Sequence, residues 1–385
     1  MADDTNNKPR FVGEKVKLGA IVRASSERNK GGRCDLVYSV TNSQGFIPSE
    51  EYFSKEVFSK DLNTYRIVKR DMIAYNPSRI NVGSVALQDK NDEVVVSPLY
   101  VVFSVDESKV APGYVVRFLK SKPGLDQIAF QSIGTVRNNL KYKALCQMEL
   151  TLPSLSVQRD RLANFVSIES QISQSRKAIE QLDQLVKSRF VEITSGALAT
   201  IKHRKLEELV TIRLGLTHTP LYTDSGKPFL SIKNISGGSI CFENCKFISE
   251  EEFKSLPIGA RPSVGDLLFC RVGTMGKPVI IEEGTPEFGT FVSLGHFKIG
   301  PEVNAHFLKA WMESESFNAQ VQKHVAGASQ PNLNTGWLKQ FMAPLPPLAL
   351  QQEFADFVSQ VDKLQFTTSE AIGMLRNIFH ALRDY

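Results

Sequence analysis

The chain has 385 residues, of which 42% are apolar and 23% charged; that composition fits a soluble protein of two or three domains and excludes a wholly disordered chain or a small fold stapled by disulfides. Lys and Arg number 46 and Asp and Glu 41, a net charge of +5 that by itself is too mild to argue for nucleic acid. The charge is uneven: residues 1–192 carry 28 basic and 22 acidic side chains, residues 193–385 carry 18 and 19.

In chain order, Met1 to Asn7 is polar, with no apolar signal core. Residues 8–33 hold eight basic side chains against Glu14 and Glu27. Such a run either follows phosphates or is a solvated surface, and Arg28, Lys30 and Arg33 are its candidate DNA contacts. Apolar or alternating runs at Thr64–Val68, Val94–Val96 and Tyr100–Val105, punctuated by Gly, Pro, Asn and Asp, predict strands. The longest strongly apolar stretch, Val94–Val105, is about twelve residues, too short to span a bilayer. Tyr114–Ser132 predicts helix. After Leu152-Pro153, the positions Phe165, Ile168, Ile172, Ile179, Leu182 and Val186 alternate by three and four, with Ser175 filling one slot; this is the seam of a long coiled-coil helix.

The second half repeats the order. Val279–Glu282 and Phe291–Ile299 predict strands and Asn304–Val325 helix. After Leu345-Pro346-Pro347, a second seam is predicted at Phe354, Phe357, Val361, Leu364, Ala371, Leu375, Ile378 and Leu382, with Thr368 in the gap. Pro153 and Pro346 suit helix starts. Each helix could pack on its own domain; two matching seams favour pairing with each other.

The repetition extends to residues. Gly134-Thr-Val-Arg-Asn-Asn-Leu140, Leu152-Pro-Ser-Leu-Ser-Val-Gln158 and Ala163-Asn-Phe-Val-Ser167 match Gly327-Ala-Ser-Gln-Pro-Asn-Leu333, Leu345-Pro-Pro-Leu-Ala-Leu-Gln351 and Ala355-Asp-Phe-Val-Ser359, at an offset of 193 that falls to 192 after one gap. Weaker matches pair Asp71-Met-Ile with Asp266-Leu-Leu, Asn81-Val-Gly-Ser with Thr274-Met-Gly-Lys, and Phe118-Leu-Lys with Phe307-Leu-Lys. The chain reads as two copies of one unit, a mixed α+β domain plus a helical tail. The predicted boundaries are 1–151 and 194–344 for the domains and 152–193 and 345–385 for the helices.

Catalytic constellations are missing. There is no Gly-rich phosphate loop and no His-Glu-x-x-His, and the six histidines are scattered. Tyr75-Asn76-Pro77-Ser78 is similar to the loop with which amino-methyltransferases hold a flipped base, but lacks its second Pro and its aromatic. Glu252-Phe253-Lys254 has nuclease-like spacing without a partner Asp and reads as a helical turn. The five cysteines have no framework spacing; Cys241 and Cys245 are the only close pair. No zinc set forms, and the cysteines read as reduced thiols of a cytoplasmic protein. No metal or cofactor is expected.

The loops offer DNA-contacting groups instead. Asn76, Arg79 and Asn81 in the first copy, and Arg271, Thr274 and Lys277 in the second, sit at equivalent places, as do Arg137-Asn138 and Gln330-Pro-Asn332. Arg bonds guanine, Asn bonds adenine, and Lys holds phosphates. Plain surface turns, where Gly, Asn and Ser belong, are the alternative.

The duplicated Leu-Pro-x-Leu-x-x-Gln segments, each leading into a long helix, resemble the DNA-specificity subunit of type I restriction–modification systems. So do Asp266-Leu-Leu-Phe with the Gly273-Thr-Met-Gly276 turn, Gly226 to Ile235 with Lys233 and Asn234, Tyr65 to Asp71, and Tyr75-Asn-Pro-Ser78. The resemblance implies two target-recognition domains held apart by an antiparallel coiled coil. It implies a non-catalytic reader of a bipartite duplex target that recruits two methyltransferase subunits and ATP-driven nuclease–translocase subunits, with no membrane partner. The first copy lacks a counterpart of Gly226–Ile235, so the two domains would read different sequences. The same reader in a modification-only or other phage-defence complex, and a coiled-coil scaffold that binds no DNA, remain the alternatives.

Overall fold

The computed structural model describes residues 13–52, 61–132, 139–195, 201–235, 238–273, 275–325 and 332–382. The chain divides into two units, Met1–Ser175 with Glu370–Tyr385, and Arg176–Ser369.

In the first unit, Val22–Ser25, Val101–Val105, Ile73–Tyr75 and Val85–Leu87 form one antiparallel sheet in that order. Its strands alternate strictly, because successive side chains of a strand point to opposite faces. Ile73, Tyr75 and Phe103 pack with Tyr114, Phe118 and Leu145 of the helices Pro112–Lys120 and Tyr142–Leu145. Ala74, Ala86 and Val102 point the other way, onto Val40, Phe46, Val68 and Val94. That second layer is built of two hairpin-like pairs, Tyr38–Val40 with Phe46–Pro48 and Arg66–Lys69 with Glu93–Val96.

The second unit repeats the scaffold. Val210–Leu214, Leu294–Ile299, Leu267–Cys270 and Gly276–Ile280 form its sheet in that order. Leu267, Phe269 and Phe297 pack on Phe307, Trp311 and Phe317 of the helices Ala305–Met312 and Glu315–Val325. Leu268, Cys270 and Leu294 face a second layer. This layer is unlike the first unit's: Tyr222–Thr223, Lys246–Ile248, Lys227–Leu230 and Gly289–Thr290 make a four-stranded sheet containing a parallel pair. The absence of a Gly226–Ile235 counterpart in the first copy is therefore a difference of architecture.

The Leu-Pro-x-Leu-x-x-Gln segments are clasps. Gln158 is fully buried; its Oε1 accepts from the Ala111 N–H (2.9 Å), and its Nε2 donates to the carbonyls of Lys109 (3.1 Å) and Pro153 (2.8 Å). Gln351 does the same with the Asn304 N–H (2.8 Å) and the carbonyls of Glu302 (3.2 Å) and Pro346 (2.8 Å). Each glutamine ties the root of a long helix to the start of the helix beneath the sheet. Every atom pair recurs at an offset of 193 residues.

The structure corrects three readings of the repeat, the first through that offset. The offset sets Tyr114 against Phe307 and Phe118 against Trp311, so the Phe118/Phe307 match slips by one helical turn. The strand ladders pair Ile73 with Phe103 as they pair Leu267 with Phe297, so the Asp71/Asp266 match slips by one residue. The third correction concerns the second seam. The long helices, Leu155–Ser195 and Leu348–Leu382, are each continuous. A continuous helix cannot absorb a one-residue gap, which rotates it by about 100°. Without the gap, the first seam maps onto Val358, Val361, Gln365, Thr368, Ile372, Leu375 and Phe379, all at least partly covered. Phe357 is also partly covered, but Ala371 is exposed, and Leu364 and Ile378 are 57% and 51% exposed, off the seam.

The paired faces are visible in each unit. In the second, Phe190 meets Phe354 at 5.9 Å between ring centroids, Arg189 pairs with Glu353 (2.6 Å), and the Gln365 amide donates to Asp183 (2.8 Å). Contacts that ascend one helix descend the other, so the pairing is antiparallel. In the first unit, Phe165 meets Phe379 edge-on at 5.2 Å, and Arg117 lies over both rings while binding Glu169 through two bonds of 2.9 and 2.7 Å. No helix among the described residues is long and apolar enough to cross a membrane.

Candidate nucleic-acid interface

The loop after Ile73–Tyr75 is fixed from within. The Asn76 side-chain oxygen accepts from the Ser78 N–H (3.1 Å) and hydroxyl (2.9 Å), Ile80 is a fully buried anchor, and Gly83, at φ 90°, ends the turn Ile80–Val82. A β-carbon at that φ is strained, so Gly permits the tight return. Arg79 and Asn81 are left exposed on the rigid turn. Asn76 serves the loop through its oxygen.

The basic stretch is not a free arm. Lys15 and Lys17 lie on the strand Glu14–Lys17, paired with Glu149–Leu152. Arg28 donates to the Thr64 carbonyl (2.9 Å). Arg33 bridges Glu27 (2.6 Å) and Glu93 (3.0 Å), and the Glu27 carboxylate holds its pKa above the ordinary guanidinium range. Lys30 stands exposed beside Gly31 and Gly32. Arg137, Asn138, Thr274 and Gln330 lie outside the described residues.

The matching hairpin of the second unit joins Leu267–Cys270 to Gly276–Ile280. Its Arg271 is half-buried and clamps the loop, donating to the carbonyls of Leu333 (3.2 Å) and Val292 (3.0 Å); burial pulls its pKa down. Asn332 is exposed and bridges Val272. Lys277 is exposed at φ 45°. Asn234 is buried, accepting from the Ser231 N–H (3.0 Å) and donating to the Cys241 carbonyl (3.1 Å), whereas its neighbour Lys233 is exposed. Arg79, Asn81, Lys30, Lys233, Lys277 and Asn332 thus present exposed side chains, while Asn76, Arg271 and Asn234 hold loops in shape.

Sequence reasoning missed a cleft of about 530 Å³ lined by Tyr222, Lys233, Glu243, Asn244 and Lys246. The Cys241/Cys245 spacing drew attention to thiols, but the turn between them carries the polar groups. Among the described residues no cluster of three or more His, Cys, Asp or Glu is placed to hold a metal ion.

A family model for the type I restriction modification DNA specificity domain matches residues 200–373. Over 347 residues the chain is 23% identical to the type I restriction enzyme MjaVIII specificity subunit of Methanocaldococcus jannaschii, covering 83% of this chain and 80% of that one. Residues 200–373 thus match that DNA specificity domain, and most of the chain's length resembles a type I restriction specificity subunit. The curated relatives it matches are named as specificity subunits. A putative MjaX specificity subunit of the same organism is 29% identical over 195 residues, covering 46% of this chain; the match spans 44% of that relative's length. The fold is similar to that of the solved S subunit of a type I restriction–modification system from M. genitalium, at a TM-score of 0.58 and 13% identity, over 99% of this chain and 96% of that one.

Proposed function

We propose that this chain reads a bipartite sequence in duplex DNA, one part through each domain, and directs DNA methyltransferase subunits and restriction nuclease–translocase subunits to it in the cytoplasm. The domains are 1–151 and 194–344, with 152–193 and 345–385 as the helices between and after them. The observation that carries this reading is one scaffold used twice under two different second layers. A repeated fold supplies two equivalent docking frames, and dissimilar surfaces supply two different readouts. The exposed cations Lys30, Arg79, Lys233 and Lys277 suit phosphates, and Asn81 and Asn332 suit base edges. Arg28 and Arg33 contribute positive charge, and Arg137, Asn138, Thr274 and Gln330 are further candidate contacts by sequence. Leu364 and Phe366 in one unit, and Met374 and Ile378 in the other, are more than half exposed; such apolar side chains on helices support docking of two methyltransferase subunits.

Selection of bound duplexes from a random pool, followed by mobility shift, tests the reading. Two short conserved sequences separated by a spacer are expected. Binding without sequence preference, or none with the methyltransferase partner present, would leave a protein scaffold as the function.

A further inference from the structure

In the second unit, the second layer carries a turn whose ends are fixed. The Cys245 N–H donates to the Phe242 carbonyl (3.4 Å), and Asn244 adopts φ 55°, the left-handed region that Asn tolerates. Phe242 packs edge-on against the buried Phe288, 6.0 Å between centroids, and Cys245 packs into the same apolar cluster. Just before the turn, Asn234 and Cys241 exchange two hydrogen bonds of 3.1 and 2.8 Å. Glu243 and Asn244 are exposed at the tip of this anchored turn. Lys233, Lys246 and Tyr222 line the same cleft, with the Lys246 ammonium 4.0 Å from the Tyr222 ring centroid.

The two lysines attract a polyanion, and Glu243 opposes it. An ionised carboxylate repels phosphate and can only accept hydrogen bonds. No ion pair among the described residues neutralises Glu243. Facing DNA, it gains only by accepting from an exocyclic amino group. In the major groove the adenine amino group lies between two acceptors, its own N7 and the paired thymine O4, which repel a carboxylate from both sides, whereas the cytosine N4 donor has only the paired guanine O6 on one side and its own C5–H on the other. We propose that Glu243 is a specificity-determining residue that selects a cytosine in the part of the target read by the second unit, with Lys233 and Lys246 on neighbouring phosphates. This rests on the DNA reading proposed above.

The test is selection from a random duplex pool with the full-length chain, as wild type, Glu243→Ala and Glu243→Gln. The wild type is expected to enrich two half-targets, one with a cytosine that Glu243→Ala leaves unselected, a loss of discrimination of about 5- to 150-fold at that position. Glu243→Gln is expected to shift the preference there toward adenine, whose N6 and N7 an amide can bridge. The other half-target stays unchanged. Wild-type preference at every position in both variants overturns the proposal, as do changes in both half-targets, or loss of all binding with thermal unfolding unchanged. A wild-type chain that enriches no sequence even with the methyltransferase partner present instead overturns the DNA reading itself.

Discussion

Arg79 and Arg271 occupy matching hairpin loops and do different work. Arg271 satisfies two backbone carbonyls. Arg271→Ala leaves them without a donor and is expected to cost about 1–3 kcal/mol for each that water cannot reach, read from urea unfolding. Arg79→Ala should leave unfolding unchanged and, if the side chain meets a phosphate, lower the salt slope of DNA binding by about 0.9. A weaker-binding Arg271→Ala protein of wild-type stability would reverse the assignment. His296 is a second contrast between copies, since it takes the place that apolar Val102 holds in the first sheet. It is fully buried, with Nε2 3.5 Å from the Asp266 carboxylate. Burial lowers its pKa from 6.5 to about 4; Asp266 pulls the other way, and Arg213 and Lys298 reinforce burial. The unfolded chain therefore binds this proton below about pH 6.5, and the folded chain only near pH 4. Stability of the second unit should fall as pH drops through that window, by up to about 1.4 kcal/mol per pH unit. Comparing urea midpoints at pH 7 and pH 5 checks it, and His296→Val should flatten the difference. An undiminished slope in that variant would place the acid sensitivity elsewhere.

At the scale of elements, the clasp glutamines marked the helix roots, and periodicity located both long helices but, of the scaffold strands, only Val101–Val105, Leu294–Ile299 and part of Gly276–Ile280; Val22–Ser25, Ile73–Tyr75, Val85–Leu87, Val210–Leu214 and Leu267–Cys270 are runs too short to show a period. Periodicity also misplaced one face. Leu364 neighbours Gln365, Ala371 neighbours Ile372, and Ile378 neighbours Phe379, so two seams one residue apart fit the second helix almost equally well. The structure puts a glutamine in the buried line, where its amide binds Asp183, and turns Leu364 outward. A hydrophobicity reading prefers the opposite. Aspartate at Ile172 or Ile372 should therefore lower the thermal unfolding midpoint by an amount equivalent to several kcal/mol, because the carboxylate loses water without a partner. Leu364→Asp should leave the midpoint near wild type and weaken association with methyltransferase subunits. Equal destabilisation by Leu364→Asp would restore the other seam. The missed cleft has a different cause: Tyr222, Lys233, Glu243 and Lys246 are scattered in sequence and gathered only by strand pairing, which no local period reveals.

For the whole molecule, the segment most like a catalytic motif is closed by its own backbone. The Tyr75 hydroxyl is buried and donates to the Leu140 carbonyl (3.1 Å), and Asn76 is held by Ser78. The full-length chain, mixed with duplex DNA, S-adenosylmethionine and ATP, should show no methyl transfer, strand cleavage or nucleotide hydrolysis. Turnover that survives rigorous purification and is lost in Tyr75→Phe or Asn76→Ala would give that loop a catalytic role.

In each unit the first and last strands of the domain lie side by side, Glu14–Lys17 against Glu149–Leu152 and Lys202–Lys205 against Met342–Leu345, just ahead of a clasp glutamine. The chain leaves a domain beside where it came in. For a gene, this makes each domain a cassette. A crossover within the codons for Leu152–Gln158 or Leu345–Gln351 keeps reading frame, clasp and helix phase together, so recombination between related genes could give a lineage a new target in one step while its helices go on meeting the same partners.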